Sequence, residues 1–144
     1  MDNEMRFPPH QPGSRLTPLP SHSDEPDDDH PNEECGLFGI YDSSDAAAHT
    51  ALGLHALQHR GQESAGIVAY DGEQFHSHRA IGLVGDHFNV QSVMDRLEGN
   101  VAIGHVRYST SGDTALRNVQ PLFAEFKFGG LAVCHNGNLT NAYS

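Results

Sequence analysis

Cys35 is the residue of this 144-residue chain whose type and position most strongly suggest chemistry. It stands between a proline-rich polar stretch and the apolar run Leu37–Tyr41. A small residue packed at the start of a strand is one explanation. If instead the Glu34–Cys35 peptide bond is cut, the thiol gains a neighbouring α-amine, a group whose pKa is roughly 7.7–8.0. One residue would then supply both a nucleophile and its general base near neutral pH.

Two polar motifs directly follow apolar strands elsewhere in the chain. Arg107 ends the run Val101–Val106, where a guanidinium could hold a carboxylate with two parallel hydrogen bonds or simply reach solvent. Asn136 and Gly137 could form an ordinary tight turn, or they could offer a side-chain amide and a backbone N–H to an oxyanion. The residues alone leave both pairs of alternatives open.

Three other groups have simple structural explanations. Arg60 and Gly61 fit the end of a helix, where a cation meets the helix dipole and glycine stops the helix. His105 is expected to be a packed side chain within its strand, and Cys134 a core residue. A disulfide between Cys35 and Cys134 is not favoured, because nothing in the sequence indicates an oxidising compartment.

Composition divides the chain at Cys35. Residues 1–34 contain nine acidic and two basic residues and seven of the eight prolines. Such a segment cannot bury enough apolar surface to offset the entropy lost on ordering, so we predict that it is disordered. We expect residues 1–34 to be an acidic propeptide or tail, and residues 35–144 to form one domain.

The net charge of −11 argues against nucleic acid and anionic membrane surfaces as partners. No apolar run approaches the roughly 18 residues that a membrane span requires. The N-terminal segment has no apolar signal core and is too acidic for an organelle transit peptide. We therefore expect a cytoplasmic protein that binds neither nucleic acid nor membrane.

Apolar patterns predict the elements that must position these residues. Helices are predicted at 46–59 and 88–97, with a third beginning at 139–142. Residues 60–66 are predicted to be a polar loop, and Gly129-Gly130 a turn. Strands are predicted at 37–41, 67–70, 74–81, 101–106, 122–128 and 131–134. Short connections between adjacent strands favour antiparallel pairing with helices on one face, which is an α+β domain.

Each of the first two helices is predicted to bury one apolar stripe. Gly53 either weakens the first helix slightly or allows a neighbour to approach it closely. The first stripe consists of Ala47, Ala51, Leu54 and Leu57, and the second consists of Val90, Val93, Met94 and Leu97.

Four segments together resemble the glutaminase domain of class II, or N-terminal nucleophile, glutamine amidotransferases. In chain order they are Cys35–Gly39, Leu57–Gly66, Gly104–Gly112 and His135–Leu139. The resemblance implies the N-terminal-nucleophile hydrolase fold, a four-layer αββα sandwich of antiparallel sheets. The family binds the glutamine amine with an aspartate downstream of the Asn-Gly motif, and the sequence stops before it. The resemblance therefore implies an incomplete domain with little activity on its own.

The resemblance assigns catalytic roles to three residues. Cys35 would attack the carboxamide of glutamine, giving a γ-glutamyl thioester and ammonia before water releases glutamate. Asn136 and Gly137 would stabilise the tetrahedral oxyanion. The acidic tail that ends at Glu34 resembles the propeptides of family members that mature by self-cleavage.

The resemblance also assigns glutamine-binding roles. Arg107 would hold the α-carboxylate of glutamine. Arg60 and Gly61 would form part of the glutamine pocket, and Tyr108 would act as a gate near its mouth.

The Leu-Gln-His-Arg-Gly-Gln wording of the second segment is closest to one branch of the family. That branch transfers the ammonia to phosphoribosyl pyrophosphate and makes 5-phosphoribosylamine, the first step of de novo purine synthesis. It implies a further phosphoribosyltransferase domain, Mg²⁺, in some members a 4Fe–4S cluster, and a homo-oligomer. Two alternatives stay open, namely another class II amidotransferase and a non-catalytic interaction module in which Cys35 stays internal.

Overall fold

The computed structural model of the protein describes residues 35–108 and 115–137. The predicted tail, the Ser109–Gly112 part of the third motif and the predicted helix start at 139–142 lie outside the described residues. The proposed boundary between residues 34 and 35 therefore stays a prediction.

Six antiparallel strands form two sheets in the described residues. The first sheet has the order β1-β4-β2-β3 and the second pairs β5 with β6. Their bounds are β1 Gly36–Tyr41, β2 Ser64–Tyr70, β3 Phe75–Ile81, β4 Val101–Arg107, β5 Leu122–Phe126 and β6 Gly129–Val133. In the register of the first sheet, β4 places Val106 opposite Gly36 on one side and Arg107 opposite Ser64 on the other.

One long helix covers a face of the first sheet. Helix α1, Ala46–Ala56, packs on β1, β2 and β4. Its predicted stripe is confirmed at Ala47, Ala51 and Leu54, which are buried, whereas Leu57 is only half-buried. The close neighbour expected at Gly53 is the ring of Phe38, since a Cβ there would lie 2.4 Å from it.

The helical predictions need two corrections. Helix α1 ends at Ala56, and a single 3-10 turn, Gln58–Arg60, follows it. Within the helix predicted at 88–97 only a single turn, α3 Gln91–Met94, is helical, and another single-turn helix, α2 Val84–His87, precedes this range. The chain bends between them because Val90 has an extended backbone, and its side chain is exposed while Val93 and Leu97 are buried.

The strand predictions need corrections at three boundaries. Strand β2 begins at Ser64 rather than Ile67, so half of the predicted polar loop is buried strand between β3 and β4. Gly129 and Gly130 begin β6, and the turn before them is formed by Lys127 and Phe128. Strand β6 ends at Val133, which leaves Cys134 just beyond it.

One face of β4 packs against α1, and the other contacts the 115–137 segment. On one face Gly104 lies so close to α1 that a Cβ would be 2.7 Å from the side chains of Thr50 and Leu54. On the other face His105 and Arg107 donate hydrogen bonds to the backbone of His135 and Asn118. Helix α1 and the 115–137 segment therefore sandwich the first sheet. The α+β class with antiparallel pairing is confirmed.

None of the helices in the two described ranges has the length and apolar character needed to cross a membrane.

Candidate active site

Cys35 lies immediately before β1, beside the end of β4. Gly36 pairs with Val106, so Cys35 comes level with Arg107. Its side chain is half-buried, and its thiol donates a long hydrogen bond to the carbonyl oxygen of Tyr108, with an Sγ–O distance of 3.7 Å. The sheet register thus places the thiol where the third motif leaves β4.

The carbonyl oxygen of Cys35 accepts two side-chain hydrogen bonds. Arg60 Nε donates one of them at 3.0 Å, and Asn136 Nδ2 donates the other at 3.1 Å. These residues are 25 and 101 positions away from Cys35 in the sequence. A carbonyl oxygen has two lone pairs, so it can accept both bonds. Residues from the first, second and fourth motifs therefore meet at one backbone atom, which fixes the plane of the peptide that carries the thiol.

The Arg60–Gly61 pair reaches this position through a close backbone approach. Gly61 follows the 3-10 turn Gln58–Arg60, as expected for a glycine at a helix end, and its backbone is extended with φ −164°. A Cβ on Gly61 would lie 2.7 to 2.8 Å from backbone atoms of Arg107. Glycine is needed here because β4 comes so near, and that approach carries the Arg60 guanidinium to Cys35.

A glutamine ties the same turn to the helix beyond it. The Gln58 side-chain amide donates to the carbonyl oxygen of Gly61, and its Oε1 accepts from the backbone N–H of Val84 at 2.7 Å. One side chain thus holds both the 3-10 turn and the start of α2. Sequence reasoning missed this residue, since nothing in the sequence indicates that the two segments touch.

Arg107 is the last residue of β4, on the face that looks towards the 115–137 segment. Its Nη1 donates to the carbonyl oxygen of Asn118 at 3.4 Å, and its own carbonyl oxygen accepts from Glu63 N at 3.1 Å. A guanidinium has five N–H donors. The contact with Asn118 engages one of them, so this arrangement is compatible with a second, anionic partner.

The Asn136-Gly137 pair lies in a turn and also contacts Cys35. Gly137 has φ +128°, a backbone conformation that favours glycine in a turn. The Asn136 side chain nevertheless points at Cys35 rather than away from it. Because a side-chain amide carries two N–H donors, one is used on the Cys35 carbonyl and the second can serve another acceptor.

Two further titratable side chains, His105 and Cys134, have shifted pKa values. His105 is 1% exposed, as expected of a packed strand residue, and burial lowers its pKa to about 4. Burial raises the pKa of the Cys134 thiol to about 11, so this thiol stays protonated at neutral pH. Both cysteines are free, which agrees with the rejection of a disulfide.

The residues of this chain do not fit the metal groups that the family implies. The sequence has two cysteines, whereas a 4Fe–4S cluster takes four thiolates. Within 35–108 and 115–137 no group of three or more His, Cys, Asp or Glu side chains could hold a metal ion. We derive no step through either Mg²⁺ or a cluster.

Comparison with known proteins finds similarity to part of several amidophosphoribosyltransferases. No protein-family model matches the chain. The amidophosphoribosyltransferase of Rhizobium etli is 61% identical over 125 residues, which are 84% of this chain and 25% of that protein. The chloroplastic amidophosphoribosyltransferase of Vigna aconitifolia is 54% identical over 115 residues, 80% of this chain and 24% of that protein.

A solved structure of an enzyme of the same kind is also similar to this chain. The glutamine phosphoribosylpyrophosphate amidotransferase of B. subtilis, solved with ADP and GMP, is 48% identical to this chain. The TM-score is 0.66, and the match covers 74% of this chain and 22% of that one.

The antiparallel α+β fold and the ordered motifs resemble those of class II glutamine amidotransferases. Within that class the chain is similar to the N-terminal part of amidophosphoribosyltransferases. It spans about a quarter of the length of the two curated relatives described above.

Proposed function

We propose that this chain is the glutaminase portion of an amidophosphoribosyltransferase and that Cys35 is its nucleophile. The observation that supports this best is the convergence on Cys35. Its carbonyl oxygen accepts from Arg60 at 3.0 Å and from Asn136 at 3.1 Å, and its thiol lies beside the Tyr108 backbone. A packed structural cysteine would not require polar side chains from two distant motifs at its backbone.

The proposed reaction begins with cleavage of the Glu34–Cys35 bond, which frees the α-amine of Cys35. The amine accepts the thiol proton, and the thiolate attacks the side-chain carboxamide carbon of glutamine. The resulting oxyanion is stabilised by the second N–H of the Asn136 amide and by the N–H of Gly137. The C–N bond then breaks, and the α-ammonium returns its proton to the departing ammonia. Water attacks the γ-glutamyl thioester, releasing glutamate and restoring the thiol.

The substrate-binding residues divide into two roles under this proposal. Arg107 holds the glutamine α-carboxylate, and Tyr108, which is 46% exposed next to it, acts as the gate. Arg60 acts on the nucleophile rather than on glutamine, because its Nε donates to the Cys35 carbonyl. Gly61 contributes because its lack of a side chain allows the backbone of β4 to pack closely against it, which places Arg60 at the site.

The proposal extends to the whole protein through its relatives. The ammonia displaces pyrophosphate from phosphoribosyl pyrophosphate to give 5-phosphoribosylamine, the first step of de novo purine synthesis. Mg²⁺, a 4Fe–4S cluster and homo-oligomer formation are proposed for the full-length protein and are not assigned to residues of this chain. We propose a cytoplasmic location, which the two unpaired cysteines support because a reducing compartment keeps thiols free.

The test is the substitution Cys35→Ala in the full-length protein, with Cys134→Ala as the matched control. Cys35→Ala should abolish glutamine-dependent synthesis of 5-phosphoribosylamine while sparing synthesis from added ammonia, because only the thioester step requires the thiol. Cys134→Ala should leave both activities near wild type. N-terminal sequencing should find Cys35 as the first residue of the wild type.

Glutamine use that survives Cys35→Ala would rule out the mechanism. Retention of residues 1–34 in a protein that still uses glutamine would rule out the α-amine as base.

A further inference from the structure

His105 is a polar side chain where packing alone calls for an apolar one. It is 1% exposed in the middle of β4, and its Nδ1 is buried without a hydrogen-bond partner among the described residues. Burying an imidazole costs free energy unless its polar atoms are used. The other ring nitrogen, His105 Nε2, donates a hydrogen bond to the carbonyl oxygen of His135 at 3.1 Å.

The His135 residue is also held from its other end. Its backbone N–H donates to Oε1 of Gln120 at 2.7 Å, so Gln120 fixes the peptide N–H while His105 fixes the carbonyl. Gln120 can approach because Gly66, which pairs with His105 in the sheet, lacks a side chain. A Cβ on Gly66 would lie 2.3 Å from the Gln120 carbonyl oxygen. The paired strands β2 and β4 thus form the surface against which Gln120 packs.

These contacts form a closed chain around the candidate site. The residue after His135 is Asn136, whose amide donates to the Cys35 carbonyl, and the neighbour of Cys35, Gly36, pairs with Val106 next to His105. Both the thiol and the Asn-Gly turn are therefore located relative to the same strand, β4. Loss of either bond to His135 would leave the turn held mainly by the Asn136 side chain.

We propose that His105 and Gln120 are positioning residues that hold the His135 backbone, so that the Asn136 amide and the Gly137 N–H meet the oxyanion in one geometry. This inference rests on the proposed function of Cys35. A carbonyl oxygen only accepts, so Nε2 must carry the proton, which leaves Nδ1 unprotonated in the neutral ring. His105 then acts as a fixed donor and takes no part in proton transfer.

Four substitutions in the full-length protein test the inference. His105→Leu removes the donor, His105→Gln keeps an amide donor at similar reach, and Gln120→Leu removes the acceptor. Thr50→Val is the matched control, because Thr50 is equally buried, has no partner for its hydroxyl among the described residues, and packs from α1 against the opposite face of β4. The measurements are kcat and KM for glutamate release from glutamine, with ammonia-dependent synthesis measured in parallel.

Misplacing oxyanion donors weakens interactions made only in the transition state, so the effect should fall on kcat. Removal of a whole oxyanion donor costs on the order of 100- to 1,000-fold, so we expect His105→Leu and Gln120→Leu to lower kcat roughly 10- to 100-fold. The KM for glutamine should change less than about 3-fold, because Arg107 still holds the α-carboxylate. His105→Gln should recover most of the loss, and Thr50→Val should match wild type.

Wild-type kcat in both leucine variants would overturn the inference, as would equal losses in His105→Leu and His105→Gln. An equal loss in Thr50→Val would also overturn it, since general core damage would then explain the effect. If His105→Leu does not fold, Gln120→Leu decides, because Gln120 is only half-buried. A wild-type protein that releases no glutamate would refute the proposed function, and with it this inference.

Discussion

The protonation of one buried histidine should be visible in the stability of the whole domain. Burial lowers the pKa of His105 to about 4, and the charges of His135 and Arg107 act in the same direction. The bond to the His135 carbonyl opposes them by favouring a protonated ring. An imidazole in the unfolded chain has a pKa of about 6.5. Between these two values the unfolded chain binds a proton that the folded chain does not.

Stability should therefore fall as the pH is lowered from 6.5 towards 4 and level off below that. The contribution of His105 at pH 4.5, relative to pH 8, is a loss of about 2 to 3 kcal/mol. The check is the difference between wild type and His105→Gln in the free energy of unfolding by urea at both pH values, because the other histidines cancel in that difference. An equal pH dependence in the two proteins would show that His105 does not titrate as described.

Among the elements, the 3-10 turn Gln58–Arg60 owes its position to the glycine that follows it. A methyl group on Gly61 would lie 2.7 to 2.8 Å from the backbone of Arg107, and neither backbone can yield as a flexible side chain would. The turn must then move away from β4 and carry the Arg60 guanidinium away from the Cys35 carbonyl. The turn is thus an element whose displacement affects both stability and chemistry.

We expect Gly61→Ala to destabilise the protein by roughly 1–3 kcal/mol, the usual cost of overpacking. Because displacements near 1 Å can cost about 100-fold in rate, glutamine hydrolysis should fall at least about 10-fold. The matched control is Gly85→Ala in α2, where no atom lies within 4 Å of a new Cβ. Denaturation and glutamate release measure the two effects. Equal behaviour of the two alanine variants would contradict the proposed contact.

Sequence patterns predict some of these elements well and others poorly. The apolar runs place β1 and β4 to within one residue at each end, since each run fills one strand and a polar segment follows it. The start of β2 is missed because Ser64 and Gly66 look like loop residues, and only their neighbours on both sides make them strand. The need for glycine at position 61 is missed for the same reason, because it arises from the close approach of β4 and not from the end of the helix.

In the candidate site, too, the sequence predicts some features and misses others. The motifs single out Cys35, Arg60 and Asn136, and the structure brings all three together. What the sequence could not predict is the atom at which they meet, since that depends on the register of β1 against β4. The link from His105 to His135 was missed as well, because a lone histidine in a strand carries no signal of its partner.

At the scale of the whole molecule, the second sheet presents a large apolar surface to solvent. The rings of Phe126 and Phe128 stack at 5.2 Å, and Phe128 is 88% exposed. Leu131 and Val133 on the partner strand are also about half exposed. Apolar surface of this kind on a two-stranded sheet is typical of an interface or of a region prone to aggregation.

We therefore expect residues 35–144 expressed alone to self-associate and to release little glutamate from glutamine. The exposed apolar sheet would pair with copies of itself and so perturb the neighbouring glutamine site. Size-exclusion chromatography with light scattering and a glutamate assay, both run beside the full-length protein, check this. A monodisperse and active domain would contradict it.

The two hydrogen bonds at the Cys35 carbonyl have a consequence for the moment of cleavage. A new chain end normally frays, because its last residue loses the covalent restraint on one side. Here the restraint on the other side is already in place, since Arg60 and Asn136 hold the first peptide group and β1 follows at once. Release of residues 1–34 would therefore create an amino terminus that is anchored from the start, with its thiol and amine kept at the site where both are needed.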